Sequence, residues 1–376
     1  MESFFSVELP ISAEDLLAIE QLVLEAEVLF PGNYLGARPP RAIEYQHATF
    51  VKEGNFFALF DRNLISRLAR LAEGKPVPED ASGGQATRIA AAALCFCVVS
   101  DIIVEPSIAL YELADTQGHE RAKYEERLFR IADNCVPQAL ANVALGKTKF
   151  LEVADSVVAN VDQRYARKPV SESNFDRPLS NWKLHYLHVL KAAELRRSSS
   201  TPLQAAREML RWQFEEAFSN TAASLYCLNA ISHHPPKGRM LKDFRSEDLQ
   251  KLCRGIRNAT WDIFLLSEFK KRLNQTDHKL WSLWTADVAL RGVASHTFVR
   301  DSSDIHVKLR EDLISRWGER DGQLLAKEFF RLTTAAMSDA KIRQNHLDDA
   351  FARVNQMIRD LEACLAIPLQ LRWKSV

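Results

Sequence analysis

Apolar residues recur three and four positions apart over long stretches of the chain, and this spacing predicts amphipathic helices. The first such stretch covers residues 12–30, SAEDLLAIEQLVLEAEVLF. Ser12 is the expected N-cap there, and Glu14 and Asp15 suit the positive end of a helix. Residues 31–41 are rich in Pro and Gly and predict a loop. The chain is therefore expected to open with a helix and a loop.

Three short apolar runs interrupt the helical pattern, and each leads directly into a helical stretch. NFFALF (55–60) precedes RNLISRLARLAEG, DIIVEP (101–106) precedes SIALYELAD, and LWSLWT (280–285) precedes ADVALRGVAS. A short continuous apolar run followed by a helix is typical of a buried strand in an α/β protein. We therefore predict a small parallel sheet flanked by helices.

Helical stretches dominate the rest of the chain, because strand signals vanish between about residues 119 and 254 and again after residue 300. The overall prediction is an α/β, helix-dominated protein. Its expected parts are an N-terminal helical segment (1–50), a core (51–118 and 250–300), a helical insertion (119–249) and a C-terminal helical extension (301–376).

Composition excludes several classes of protein. Only 13 of the 376 residues are Gly, about half the usual fraction of ~7%, which argues against a many-stranded sandwich or barrel. The 49 basic residues balance the 49 acidic ones, which excludes a histone-like polycation and an acidic tail protein. The six cysteines show no Cys-x-x-Cys spacing, so reduced thiols are expected rather than a zinc site or disulfides.

The expected location is the cytoplasm, with no membrane partner. The first 15 residues, MESFFSVELPISAED, are acidic where a signal peptide is basic. The longest apolar run, residues 90–99, has about half the length of a membrane span.

Four acidic residues stand where strands end or helical stretches begin. Asp61 ends the first strand, Glu112 lies on the helix after the second, Asp262 begins a helical stretch and Asp287 follows the third strand. The carboxyl ends of parallel strands meet at one edge of a sheet, so we expect the four carboxylates to converge there. Such a cluster needs a cation, and Mg²⁺ or Mn²⁺ suits oxygen ligands.

The first two of these segments resemble motifs of the PIN-like (PIN domain) nucleases. FFALFDRNLISRL is similar to the first motif of that family, a hydrophobic strand that ends in Asp61, with Asn63 two positions on. IVEPSIALYELAD is similar to the second motif, a short strand and a helix that bears Glu112.

The last two segments resemble the third and fourth motifs in the same order. RNATWDIFLLSEF is similar to the third motif through Asp262, and LWSLWTADVALRGVA is similar to the fourth through Thr285-x-Asp287. The resemblance implies a PIN-like catalytic core made of residues 51–118 and 250–300. It also implies that residues 119–249 are an insertion within that core.

The resemblance implies a divalent-metal-dependent hydrolase that cleaves phosphodiester bonds, an endoribonuclease with RNA as the expected substrate. In this role Asn63 or Thr285 orients a metal-bound water. A toxin, an antiviral effector and an RNA-processing enzyme all fit the activity. The implied ligands of Mg²⁺ or Mn²⁺ are Asp61, Glu112, Asp262 and Asp287.

The alternative is a non-enzymatic helical scaffold or regulatory binding protein, in which the acids are caps and surface charges. Asp61 or Asn63 then caps the helix after the first strand. Residues 164–245 hold 14 Lys and Arg against 7 Asp and Glu, which suits either a nucleic-acid backbone or a solvated surface. The insertion is also the expected place for a protein partner or a homo-oligomer contact.

Four further motifs are interpreted as structural. His185 and His188 share one face of a helix without a carboxylate or Cys partner, so packing is expected. Cys95-x-Cys97 lies in an apolar helix, so both cysteines are expected to be part of the hydrophobic core. Gly146-Lys147-Thr148 ends a helical stretch with no preceding strand, which argues against a phosphate-binding loop. His233-His234-Pro-Pro is expected to be a loop.

Overall fold

A computed structural model describes residues 9–31, 41–51, 54–167, 174–176, 179, 181–218, 220–234, 243–244, 246–275, 278–297, 302–337 and 340–372. The chain forms two compact units. Unit 1 is Met1–Pro178 with Phe269–Ala286, and unit 2 is Leu179–Glu268 with Asp287–Val376.

Unit 1 combines helices with a four-stranded sheet. Its helices are α1 (Ala13–Glu25), α2 (Ala42–Phe50), α3 (Arg62–Ala72), α4 (Ala81–Val99), α5 (Ser107–Gln117), α6 (His119–Asp133), α7 (Pro137–Ala144) and α8 (Asp155–Arg167). Its strands are β1 (Leu29–Phe30), β2 (Asn55–Phe60), β3 (Ile103–Glu105) and β4 (Lys279–Trp284). The helix-dominated α/β class predicted from the sequence is confirmed.

The sheet has the strand order β1-β4-β2-β3 and is mixed. The central strand β2 pairs in parallel with β3 and with β4, and Ala58 lies opposite Val104 on one side and Ser282 on the other. The edge strand β1 pairs antiparallel with β4. The sequence correctly predicts the three parallel strands, but the prediction of a wholly parallel sheet is wrong because of β1.

A backbone turn explains why β1 was predicted as part of the first helix. Ser12 caps α1 by accepting the amide hydrogen of Asp15 at 3.1 Å, as expected. The helix ends at Glu25 because Glu27 adopts a left-handed conformation with φ 48°. Leu29 therefore enters the sheet although the apolar spacing continues the helical pattern. The predicted loop that follows lies mostly in residues 32–40, outside the described part.

The core of unit 1 lies between the sheet and α4. The indole of Trp284 packs against Phe60 and Phe96, with ring centroids 5.6 Å apart in both pairs. Cys95 and Cys97 are fully buried in α4, so their predicted core role is confirmed. By length and composition α4 is apolar enough to cross a membrane, but 61% of its most apolar window is buried, as in the core helix of a soluble protein.

The described part of unit 2 contains helices and no strand. Its helices are α9 (Trp182–Ser198), α10 (Pro202–Glu215), α11 (Thr221–Ile231), α12 (Leu249–Leu273), α13 (Val288–Thr297), α14 (Ser302–Trp317), α15 (Glu319–Met337) and α16 (Ala340–Cys364), with a 3₁₀ turn at Leu369–Leu371. The last turn of α12, from Phe269, belongs to unit 1. Of the segment predicted as an insertion, α6 to α8 belong to unit 1 and α9 to α11 to unit 2.

Two histidines are part of the core of unit 2, as predicted. His185 and His188 are 4% and 0% exposed on α9. The ring nitrogens of His188 lie 2.7 Å from the carbonyl oxygen of Leu184 and 2.8 Å from that of Phe218. Burial lowers the pKa of both histidines, to about 3 for His185, so both are neutral packing residues at physiological pH.

Candidate functional site

The candidate site lies at the carboxyl ends of β2 and β4 in unit 1. From β2 the chain crosses to β3 on one side, and it later returns as β4 on the other side. Open α/β sheets form their binding crevice at this kind of switch in strand order. Asp61 directly follows β2, Thr285 directly follows β4, and Glu112 lies on α5, the helix after β3.

Asp61 is held at this point by side-chain and backbone hydrogen bonds. It is the N-cap of α3, because its Oδ1 accepts the amide hydrogen of Leu64 at 2.9 Å. Its Oδ2 accepts a hydrogen bond from the hydroxyl of Thr285. Its own amide donates to the carbonyl of Trp284 at 3.0 Å. Asp61 is only 4% exposed, so the strand ends fix the position of a buried carboxylate.

Asn63 does not cap α3, so that structural interpretation is wrong. The N-cap position belongs to Asp61, and Asn63 lies one residue inside the helix. The backbone carbonyl of Asn63 accepts a hydrogen bond from the hydroxyl of Ser66 at 3.1 Å. Orientation of a water by Asn63 stays a prediction.

Glu112 lies close enough to Asp61 for the two carboxylates to affect each other. Burial raises the pKa of Glu112 to about 8, Arg62 lowers it, and the negative charges of Asp61 and Asp115 raise it further. Glu112 therefore holds a proton at neutral pH unless a further positive charge comes near.

Arg62 is the cation nearest to this pair in sequence, and it donates two hydrogen bonds to another residue. Both of its terminal nitrogens bond the carboxylate of Glu125 on α6, one of them at 3.1 Å. Glu125 is 3% exposed. No local sequence pattern indicates the pairing of Arg62 with Glu125, although Arg62 at the positive end of α3 is a signal that an anion lies nearby.

Asp287 and Asp262 belong to unit 2. Asp287 begins α13 by accepting the amide hydrogens of Ala289 at 2.8 Å and Leu290 at 3.1 Å. Asp262 lies in the middle of α12, so its predicted place at the beginning of a helix is wrong. That helix begins at Leu249, well before Asp262.

Tyr226 on α11 lies within electrostatic range of both acids. The phenol is buried, and burial raises its pKa. The negative charges of Asp262 and Asp287 raise that pKa further. Asp61 and Glu112 therefore interact electrostatically in unit 1, and Asp262 and Asp287 each interact with Tyr226 in unit 2. Convergence of all four stays a prediction.

The donor set in unit 1 suits a hard divalent cation. Within the described ranges, no three His, Cys, Asp or Glu side chains form a metal-binding group. Mg²⁺ is commonly held by one or two carboxylates together with waters and substrate phosphates. Asp61 and Glu112 offer two carboxylates, and the pKa of Glu112 is raised mainly by burial, although Arg62 lowers it. Two carboxylates suit Mg²⁺ or Mn²⁺, and binding of either ion at this site stays a prediction.

Lys147 has a structural role, as the sequence predicts. Its helix α7 ends at Ala144, and Gly146 adopts a left-handed conformation with φ 72°. The ammonium group of Lys147 lies 2.5 Å from the carboxylate of Asp15 on α1. A glycine-rich phosphate loop is therefore absent at this point of the chain.

The basic segment is only partly described. Six of its cations lie outside the described residues: Lys168, Arg177, Lys237, Arg239, Lys242 and Arg245. Arg207 and Arg211 of α10 both pair with Glu328 of α15. His233 and His234 follow α11 outside any helix, and the two prolines after them are not described. A basic nucleic-acid surface stays a prediction.

The chain matches no protein-family model, no curated protein and no solved structure in the three comparisons made. The roles of Asp61, Glu112 and Thr285 are therefore inferred from their positions and chemistry.

Proposed function

We propose that this protein is a divalent-metal-dependent nuclease that hydrolyses phosphodiester bonds of RNA, with its active site at the carboxyl ends of β2 and β4. One observation carries the proposal. Asp61 and Thr285 are hydrogen-bonded at the ends of adjacent parallel strands, and Glu112 lies near enough for its pKa to respond to Asp61. This is the place where open α/β sheets bind their ligands.

The residues at the crevice have distinct roles in this proposal. Asp61 and Glu112 hold Mg²⁺ or Mn²⁺, and such a cation lowers the pKa of bound water and neutralises charge on the phosphate. The Thr285 hydroxyl and the Leu64 amide fix the orientation of the Asp61 carboxylate. The carboxyl group of Glu112 gives up its proton when it becomes a ligand, so metal binding and deprotonation of Glu112 are linked. Asp262 and Asp287 are proposed as further ligands on the resemblance alone.

Cleavage assays with a matched control test the proposal. Single-stranded RNA and DNA of the same sequence are incubated with the full chain in Mn²⁺ or Mg²⁺ and in EDTA. We expect metal-dependent cleavage of RNA, reduced about 100-fold or more in Asp61→Asn, because a ligand is lost. The control is Asp80→Asn, since Asp80 caps α4 in unit 1 by accepting the amide hydrogen of Gly83 at 2.6 Å, just as Asp61 caps α3.

Both variants retain a side-chain oxygen for the cap, so both should fold. Equal cleavage by the wild type and Asp61→Asn would contradict the proposed site. Absence of metal-dependent cleavage in the wild type would contradict the proposed activity.

A non-enzymatic scaffold or regulatory protein is the second candidate, because Asp61 and Asp287 both cap helices. Thermal unfolding in increasing Mn²⁺ and Mg²⁺ separates the two. A ligand that binds only the folded state raises its stability. If the protein is a metal-dependent nuclease, the metal should raise the Tm of the wild type but not that of Asp61→Asn. If it is a scaffold, the metal should raise the Tm of neither protein.

A further inference from the structure

Unit 2 contains a half-open cavity of about 590 Å³ that the proposed nuclease activity does not use. It lies where α9 ends and α10 begins, and all of its lining residues belong to unit 2. Cavities of this size fall within the range that holds small-molecule ligands.

Two adjacent arginines give the cavity its charge. Arg196 and Arg197 occupy the last turn of α9 and line the cavity. Arg196 is half-buried, and its guanidinium has no ion-pair or hydrogen-bond partner among the described residues. Arg197 donates one hydrogen bond to the carbonyl of Ser246 at 3.0 Å, which orients its guanidinium and leaves other N–H donors. Guanidinium groups bind phosphate through paired N–H donors.

The link between the two helices adds hydroxyl groups beside the arginines. Ser199, Ser200 and Thr201 all line the cavity. Thr201 is the N-cap of α10, and its hydroxyl oxygen accepts the amide hydrogen of Gln204 at 3.2 Å. The positive end of the 14-residue helix α10 therefore adds to the charge of Arg196 and Arg197.

The remaining walls differ in character from the cationic side. Ile231 and Phe244 are buried apolar residues that line the cavity. Glu247 is exposed and supplies a single carboxylate. A ligand that matches the arginine side, the apolar wall and the carboxylate of the cavity carries a phosphate, an apolar ring and a hydroxyl or amino donor.

We propose that this cavity binds a nucleoside phosphate. The phosphate pairs with Arg196 and Arg197, the base packs on the apolar wall that includes Pro202 and Phe244, and Glu247 accepts a hydrogen bond from a ribose hydroxyl. A nucleoside phosphate is favoured over inorganic phosphate because the cavity is far larger than one phosphate group and has an apolar wall. The proposal is independent of the nuclease activity.

Isothermal titration calorimetry of the full chain tests the proposal. The titrants are 5′-AMP, adenosine and inorganic phosphate, all in EDTA and in the Asp61→Asn background, so that the crevice in unit 1 contributes no metal-dependent binding. We expect 5′-AMP to bind at least about tenfold more tightly than adenosine or phosphate, and Arg196→Gln to weaken it roughly tenfold or more. The control is Arg320→Gln, an exposed arginine of α15 outside the cavity.

Two outcomes would overturn the proposal. The first is absence of 5′-AMP binding at millimolar concentration, or equal binding by Arg196→Gln and Arg320→Gln. The second comes from a short single-stranded oligonucleotide used as the titrant. Arg196-dependent binding of the oligonucleotide without binding of 5′-AMP would show that the phosphate belongs to a nucleic-acid strand.

Discussion

The hydroxyl of Thr285 donates a hydrogen bond to the carboxylate of Asp61, although the two residues lie 224 positions apart in sequence. Both are buried, at 0% and 4% exposure. The backbone amide of Thr285 also donates to the carbonyl of Val28 at 2.9 Å. Thr285 thus joins the edge strand β1 to the acidic residue at the end of the central strand β2.

Removal of the Thr285 hydroxyl should destabilise unit 1. Thr285→Val keeps the side-chain shape but leaves the buried carboxylate of Asp61 with one donor fewer. We expect the free energy of unfolding to fall by about 2 kcal/mol, since a hydrogen bond to a charged group is worth about 1.5–3 kcal/mol. Urea denaturation measures this change.

A buried threonine in unit 2 serves as the control for that experiment. The hydroxyl of Thr260 donates to the carbonyl of Ile256 within its own helix at 2.8 Å, so Thr260→Val should change stability much less. A double-mutant cycle with Asp61→Asn isolates the pair. Similar losses in both valine variants, without coupling to Asp61, would contradict the assigned role of Thr285.

The stability of the protein should depend on pH through Glu112. The pKa of Glu112 is about 8 in the folded protein and 4.5 as its ordinary value, so the unfolded chain releases this proton at lower pH. The folded state therefore loses stability as pH rises from about 4.5 to about 8, with no further loss above that range.

Glu112→Gln has no proton to release at this position. At pH 4 its unfolding free energy should equal or fall below that of the wild type. Between pH 4 and pH 8 the stability of the variant relative to the wild type should rise steadily. The control is Glu120→Gln on α6, whose side chain is 87% exposed. A difference between Glu112→Gln and the wild type that stays constant from pH 4 to pH 9 would exclude this pKa shift.

The pair of Asp15 and Lys147 should stabilise unit 1 only above acidic pH. Hydrogen bonds from Lys147, at 2.5 Å, and from Gln138, at 2.9 Å, lower the pKa of Asp15 below 3.8. This contribution is present above pH 3.8 and is lost as pH falls through the lowered pKa. Lys147→Met should therefore reduce the unfolding free energy by about 1 kcal/mol at pH 7 and by less near pH 2.

A second lysine nearby gives the comparison. Lys149 lies 3.2 Å from Glu79, and both side chains are largely exposed, at 66% and 86%. Because water screens such a pair, Lys149→Met should leave stability almost unchanged. If both methionine variants behave alike at pH 7, the bond from Lys147 to Asp15 is not the source of stabilisation.

Two helical glycines of unit 2 should respond to alanine in opposite directions. A Cβ atom on Gly322 of α15 would lie 2.5 Å from the Cα atom of Ile314 on α14, which is backbone and cannot move aside. Gly322→Ala should therefore destabilise the protein by about 1–3 kcal/mol. A Cβ atom on Gly292 of α13 would meet nothing within 4 Å, so Gly292→Ala should stabilise it by up to about 1 kcal/mol. Thermal unfolding of both variants measures the contrast, and equal effects would contradict the close packing of α14 on α15.

Local patterns predicted much of unit 1. The run NFFALF coincides with β2, and the predicted helix after it begins at Arg62, because strands of continuous apolar residues and capped helices leave clear local signals. The edge strand β1 was missed because two residues that follow a left-handed turn carry no pattern of their own. The start of α12 was misplaced because polar residues such as Arg254 and Arg257 hide the apolar spacing of its first turns.

The candidate site was predictable only where it depends on strand ends. Asp61 follows β2 and Thr285 follows β4, and the rule that parallel strands end at a common edge predicted their proximity. The bond from Arg62 to Glu125 joins α3 to α6 and depends on helix packing, which local patterns do not determine. The electrostatic effect of Asp262 and Asp287 on Tyr226 likewise depends on long-range packing.

The pairing of β2 with β4 has a consequence for synthesis of the chain on the ribosome. Asn55 pairs with Lys279, so one side of β2 has no partner until 224 more residues have been made. At about 5–20 residues per second, this delay lasts about 10–45 s. During that time the apolar strand NFFALF has an open edge, which is a site for pairing with other chains. We therefore expect nascent chains to be most prone to aggregate before β4 is made.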